Sequence, residues 1–308
     1  MPLNATKCNA LEIDTSEFRE KFPDTAFKIQ HNLRNEPAFQ LSRLVELAKR
    51  LPSDQVEYYA GNVSVAQRKK EYPKNGLSTV ETIRRIEECG SWMVMKNVDV
   101  DPEYGIFLRT LLDEWYGQID PRQLQIAKGT IRREQAFIFI SSPNSVTPYH
   151  LDDEHNFLLQ IRGSKQVNIW DQKDRVVVSE AEMESHLQFW HEPDHDRYLP
   201  FQENFQQRAQ TFTLNPGEGL HFPFAAPHWV KNGPEVSISF SITFRSAMCD
   251  RMSQIYYVNK RLRKLGLDPA PPGQPGWRDS FKVGVFNFAR RANKIVKKAT
   301  GRSNHGVL

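Results

Sequence analysis

Cysteine is scarce: Cys8, Cys89 and Cys249 are three in 308 residues, far apart and odd in number, with no C-x-x-C pair. That excludes a disulfide framework and a cysteine-built zinc knuckle, and it fits a reducing compartment. No uninterrupted run of 18 apolar residues occurs, so no transmembrane helix is expected. The opening residues, MPLNATKCNALEID, lack the basic-then-apolar order of a secretory signal. Internal repeats and low-complexity tracts are missing as well. These absences lead to the expectation of a cytoplasmic protein.

What is present is an ordinary globular composition, 39% hydrophobic and 25% charged, long enough to bury a sizeable core. The net charge of +4 hides an asymmetry. Residues 251–308 hold 13 Lys/Arg against 2 Asp/Glu, leaving 28 against 35 for residues 1–250. The basic character belongs to the tail, and such a tail suits a polyanionic partner or an acidic surface.

The first hundred residues read as helices and loops. Phe39, Leu41, Leu44, Val45 and Leu47 recur at roughly helical spacing. Ser78 and Glu81 are spaced as a capping box, with Ile83 and Ile86 expected to face inward. Residues 92–98 read as a short strand and residues 104–115 as a helix. From about Gln135 the pattern changes to short Phe/Ile/Val runs between turns, at 136–140, 157–161, 167–170, 220–223 and 236–244. Short strands with tight turns predict a β-sandwich or barrel. Residues 171–211 form a long polar insertion of the kind that serves as a lid or rim. The proline-rich 269–276 stretch reads as a linker to a last helix.

The segment Thr147-Pro-Tyr-His150-Leu-Asp152 carries the chemistry. On a strand, residues two apart share a face, so His150 and Asp152 would present an imidazole and a carboxylate side by side. His228, in Ala226-Pro-His-Trp-Val, would add a second imidazole from the end of another strand. Two histidines and one carboxylate leave open positions on an octahedral ion, the arrangement that non-haem Fe(II) oxygenases need. A closed tetrahedral zinc site leaves no such room. H-x-D alone occurs by chance. His155, His186, His191, His195 and His221 are therefore expected to be ordinary core or surface histidines. His221 has the further reading of lining the pocket without touching metal. The stretch 191–196 is expected to be an exposed loop rather than a second cation site, and Asp153 has the wrong strand parity.

The stretch 147–165, THR-PRO-TYR-HIS through Gly163-Ser164-Lys165, resembles the core of the JmjC-type, cupin-fold oxygenases, especially the asparaginyl hydroxylase branch. Pro216-Gly217-Glu218, Phe222-Pro223 and Pro227-His228-Trp-Val resemble the second half of the same domain, so the likeness covers about residues 130–246. It implies a double-stranded β-helix (jelly roll) with flanking helices. The domains are expected at 1–130, a helical and mixed N-terminal region packing on the core, 131–248, the catalytic barrel, and 249–308, a basic helical extension.

The likeness further implies iron on His150, Asp152 and His228, with 2-oxoglutarate and O2 as cosubstrates and hydroxylation of a substrate C–H bond as the outcome. Lys165 falls where the family pairs the distal carboxylate of 2-oxoglutarate, Thr147 where a hydroxyl helps hold it, and Asn156 where an amide reaches the cosubstrate. Many members carry an asparagine near Thr243; this chain has none, and Thr243 is the candidate contact there. Trp92 is the candidate aromatic partner. Two other readings stand beside this one: a non-catalytic cupin-like binding module, and a cupin-type metal-dependent isomerase or hydrolase.

Val236, Ile238, Phe240, Ile242 and Phe244 alternate with Ser237, Ser239, Ser241 and Thr243, so one face should pack the core and the other line a polar interior. In the tail, Phe281, Val285, Phe288, Ala292, Ile295 and Ala299 form one stripe of a basic amphipathic helix. The stripe is expected to dock on the body or on a second subunit, giving a homodimer or higher oligomer. An anionic membrane surface, met from its inner face, is the second expectation. Nucleic acid is disfavoured because no base-reading motif accompanies the charge.

Overall fold

The strand at residues 237–245 decides which side of the protein is polar. A computed structural model of the chain describes residues 10–118, 131–187, 199–273 and 276–300. In it β-branched and aromatic residues form twelve strands among the described residues: β1 (Leu11–Glu12), β2 (Phe27–His31), β3 (Val56–Ala60), β4 (Ser91–Met95), β5 (Arg132–Ser141), β6 (Val146–His150), β7 (His155–Arg162), β8 (Lys165–Ile169), β9 (Gln210–Leu214), β10 (Glu218–Phe222), β11 (His228–Asn232) and β12 (Ser237–Arg245). They pair antiparallel into an eight-stranded sheet, in the order β1-β2-β10-β7-β12-β5-β4-β3, and a four-stranded sheet, β6-β11-β8-β9. This is the jelly roll expected from the sequence.

Alternation along β12 sorts two environments. Ile238, Phe240, Ile242 and Phe244 join Phe157, Leu159 and Ile161 of β7 in a large core that also holds residues of the N-terminal helices. Those helices are α1 (Thr15–Lys21), α2 (Leu41–Arg50), α3 (Thr79–Arg84) and α4 (Pro102–Gln118). The capping box at Ser78 and Glu81 forms in both directions, and Ile83 and Ile86 are buried. On the other side of the sheet a smaller core, with Leu158, Leu220 and Phe222, faces Val167, Ile169 and Val230 of the four-stranded sheet. The serines of β12 share that inner side.

The reading of the first hundred residues as helices and loops needs correction: besides the strand read at 92–98, which is β4, they also supply β1 to β3. β2 is held on β10, with Ile29 opposite Gly219, across about 190 residues of chain. Short strands recruited over such distances carry no local turn signal. The register explains Gly219, since a Cβ there would come within 2.7 Å of Ile29 and 2.9 Å of Leu159.

Residues within 10–177 and 199–246 form one compact unit, and those within 178–187 and 247–300 a second. The second holds α5 (Glu180–His186), α6 (Ala247–Lys264) and α7 (Gly276–Thr300). Ser179 and Glu182 cap α5 reciprocally. Buried Glu184 of α5 accepts from Arg263 of α6 at 2.9 and 3.1 Å. α7 is anchored by Phe286, which meets the Tyr257 ring edge-on at 5.3 Å. The stripe does not dock within this chain: Phe281, Val285, Phe288 and Ile295 are exposed, and the buried positions are Asp279, Lys282 and Phe286. Periodicity identified the stripe but not the side of the helix that packs. Lys282 is drawn inward because its Nζ donates to the Ala270 carbonyl at 2.7 Å.

Candidate metal centre

His150 ends β6 and His228 begins β11, and the two are direct partners in the antiparallel ladder. Residues opposed in this way share a face, and the imidazole centroids lie 4.2 Å apart. The sequence reading placed His228 at the end of its strand; it stands at the start, which brings it level with His150. Asp152 differs from expectation too. β6 stops at His150, so strand alternation does not aim the carboxylate. A loop does, and its Asp152 carbonyl accepts from the Ala225 N–H at 3.0 Å, tying the two ligand-bearing segments together. Asp152 Oδ2 then lies 3.8 Å from His228 Nε2.

One donor atom from each of the three residues falls within 4.8 Å of the others, and among the described residues this is the one group of that kind. The tautomers suit ligation. His150 Nδ1 lies 2.7 Å from the Pro148 carbonyl and His228 Nδ1 3.0 Å from the Ala226 carbonyl. A carbonyl only accepts, so each Nδ1 carries the proton and each Nε2 keeps its lone pair for a cation. Burial, and next the neighbouring His150, push the pKa of His228 down to about 4, so its ring is neutral at physiological pH. Two imidazoles and a carboxylate, with no fourth protein donor among the described residues, fit an ion that keeps open positions.

Thr147 and His150 are three apart, yet both face inward. The register shifts between His228 and Val230, so that Val230 opposes Thr147 while His228 opposes His150. This bulge absorbs the odd residue. Lys165 opens β8 on the same inner face as Val167 and Ile169, paired with Asn232 of β11. It is 5% exposed. No ion pair or hydrogen bond is seen for its ammonium among the described residues, and burial alone pushes its pKa down to about 7. Asn232 beside it donates to Ser145 Oγ at 3.0 Å and keeps a buried, unpartnered Oδ1.

Asn156 and Thr243 are direct partners on β7 and β12. Both are buried, and Asn156 Oδ1 accepts from Ser241 Oγ at 2.5 Å. Gln160, which sequence reasoning missed, holds the rest of the hydroxyl face: its amide nitrogen donates to Ser237 Oγ at 3.0 Å and its oxygen accepts from Ser239 Oγ at 2.7 Å. The available signal was parity, since Asn156, Leu158 and Gln160 share one side of β7. Asp153 pairs with Arg245 at 2.9 Å. Glu154 is half-buried, and its pKa is raised to about 8 by burial first and by Asp152 and Asp153 next. Trp92 packs on Tyr59 and Tyr72, with ring centroids 5.4 and 6.0 Å away.

His155 and His221 stack at 5.6 Å among Phe22, Phe27 and Phe244, on the helix side of the large sheet. They are core histidines, and the pocket-lining alternative for His221 does not hold. His186 is buried at the end of α5. His191 and His195 lie outside the described residues, as does the whole 191–196 stretch.

A family model described as a cupin-like domain matches residues 29–248. No curated protein matches in sequence. Among solved structures, one of Escherichia coli YcfD is 16% identical, covering 91% of this chain and 68% of that one at a TM-score of 0.50. This likeness bears on the fold alone. Similar structures of the same protein, described as a ribosomal oxygenase, contain cobalt with 2-oxoglutarate (14% identical, TM-score 0.46) or cobalt with succinic acid (15%, TM-score 0.45). Each covers 91% of this chain and 67% of that one.

Proposed function

The chain belongs to the cupin-like domain family, and on that premise we propose that it is an Fe(II)- and 2-oxoglutarate-dependent oxygenase that hydroxylates a substrate C–H bond. The motif likeness to the asparaginyl hydroxylase branch favours hydroxylation over demethylation. The substrate is a protein side chain, or a saccharide or lipid.

The observation that carries this reading is Lys165. A buried ammonium without a counter-ion is unfavourable, and a protein that keeps one on the inner face of a barrel has a use for an anion there. Lys165 lies four residues along β8 from Ile169, the register partner of His228. That is roughly 13 Å of strand at about 3.3 Å per residue. An isomerase, a hydrolase or a bare binding module needs no such cation at a distance from the metal. A ligand with a chelating head and a carboxylate tail does.

His150, Asp152 and His228 would hold Fe(II), which when bound supplies the activation of O2 that a C–H bond requires. Lys165 would pair the distal carboxylate by a charge-assisted bond, with the Thr147 hydroxyl on the same inner face. Asn156 and Thr243 would border the chelating end. Gln160 keeps Ser237 and Ser239 turned away from the ligand by occupying their hydroxyls. No side chain need act as general base.

The test is anaerobic titration of the purified protein with Fe(II) and 2-oxoglutarate, following the weak visible charge-transfer band of the chelate. The band should form in the wild type and be missing in His150→Ala. Metal binding without a band would reassign the protein to another cupin chemistry, and no metal binding would make it a non-catalytic module. Succinate release then identifies substrates.

A further inference from the structure

The last helix carries two faces that serve different ends. One is fixed to its own unit: Phe286 against Tyr257, Lys282 on the Ala270 carbonyl, and the Asp279 carboxylate accepting from the Gly273 N–H at 2.6 Å. The opposite face displays Trp277, Phe281, Val285, Phe288 and Ile295, which are 67, 68, 42, 76 and 69% exposed. Steps of four, four, three and seven keep these five within an arc of about 80° at 100° per residue. Three aromatic and two branched side chains in one line exceed the scattered exposed apolar residues of an ordinary surface. Because the other face is anchored, the stripe is held outward.

The charges around the stripe indicate what covers it. Arg278 borders one side and Arg291 the other, with Lys294 further round, all exposed. Asp279 is the one acid in the helix, and it is buried. Pairing this face with the same helix of a second copy would set rows of like charge against each other. A negatively charged surface with an apolar interior meets both features at once: aromatic and branched side chains enter the boundary region while arginine and lysine remain at headgroup level. Among the described residues no helix is long and apolar enough to cross a membrane, so contact of this kind is with the surface.

We propose that the exposed face of α7, formed by Trp277, Phe281, Val285, Phe288 and Ile295 with its arginine and lysine borders, binds the surface of an anionic lipid bilayer. The proposal is independent of the oxygenase reading, and the iron titration leaves it untouched.

The experiment is flotation of the full chain with unilamellar vesicles of phosphatidylcholine alone or with added phosphatidylglycerol. The full chain should float with the anionic vesicles, stay behind with the neutral ones, and be released by high salt. The double variant Phe281→Ser with Phe288→Ser should lose about tenfold in partitioning, with an unchanged Tm because both rings are exposed. Arg278→Glu with Arg291→Glu should lose it as well. Absence of flotation, or flotation unaltered in both variants, overturns the proposal. A dimer seen by light scattering and lost in the phenylalanine variant, without flotation, would give the face to a second copy instead. Retention on duplex DNA without flotation would give it to nucleic acid.

Discussion

Lys165 sets the strongest residue-scale expectation, because its burial has a sign that can be read in a denaturation experiment. An ordinary lysine titrates near 10.5 and this one near 7. Below pH 7 both folded and unfolded states hold the proton, and the folded state bears the full penalty of a buried charge. Between 7 and 10.5 the unfolded state binds more protons, so stability rises with pH. The full rise corresponds to roughly 5 kcal/mol at 1.36 kcal/mol per unit. Urea denaturation should therefore show Lys165→Met more stable than wild type by several kcal/mol at pH 6, the gap closing toward pH 10. With saturating 2-oxoglutarate the wild-type slope should flatten, because the bound carboxylate keeps the ammonium charged. Equal stability of the two proteins at pH 6 would remove the unpaired lysine from the account. Lys165→Met should also bind 2-oxoglutarate at least tenfold more weakly by calorimetry.

At the scale of elements, β12 was readable and β6 was not. Strict alternation of Ile/Phe with Ser/Thr announced two faces, and they separate as a helix-packed core and a hydroxylated interior. Phe240 sits between Phe39 and Phe107 with ring centroids 5.3 and 5.6 Å away. Phe240→Ala should lose about 3–5 kcal/mol in urea denaturation, while the folded fraction binds 2-oxoglutarate as before. Ser241→Ala should lose less, about 1–3 kcal/mol, by leaving Asn156 Oδ1 without its donor. An equal loss from both would mean that the two faces are not distinct environments. The bulge between β6 and β11 has no comparable signature in the sequence. Period-two reasoning cannot place Thr147 and His150 on one side, nor show that Asp152 is aimed by a loop. H-x-D spacing pointed to residues that the structure does bring together with His228, through an incorrect geometric step. The capping boxes at Ser78 and Ser179 are local, and the first was visible in the residues themselves.

Across the whole molecule, the jelly-roll fold was legible where the chain pairs with itself nearby. β5 to β12 were foreseen in part from their turns, but β2 and β3 were not, since what makes them strands is an edge supplied by distant segments. The tail was legible in composition and periodicity, but not in which side of α7 packs. A metal that binds only the folded chain must stabilise it by mass action. Fe(II) or Co(II) at a hundred times its Kd should add about 2.7 kcal/mol, seen as a rise in Tm under anaerobic conditions. Asp152→Ala and His228→Ala should abolish the rise; a rise retained by both would place the ion elsewhere. Both imidazoles are oriented by the carbonyl two residues earlier in their own chain. Many metal-bound histidines rely instead on a neighbouring carboxylate to fix the tautomer. A main-chain carbonyl is present whatever side chain occupies its residue, so no substitution nearby can delete it. A saturation library around the centre should show sharp intolerance at the three ligands and to insertions or deletions between Pro148 and His150 or between Ala226 and His228. The outward-facing positions beside them should accept many replacements, giving a centre robust to point mutation and fragile to changes in length.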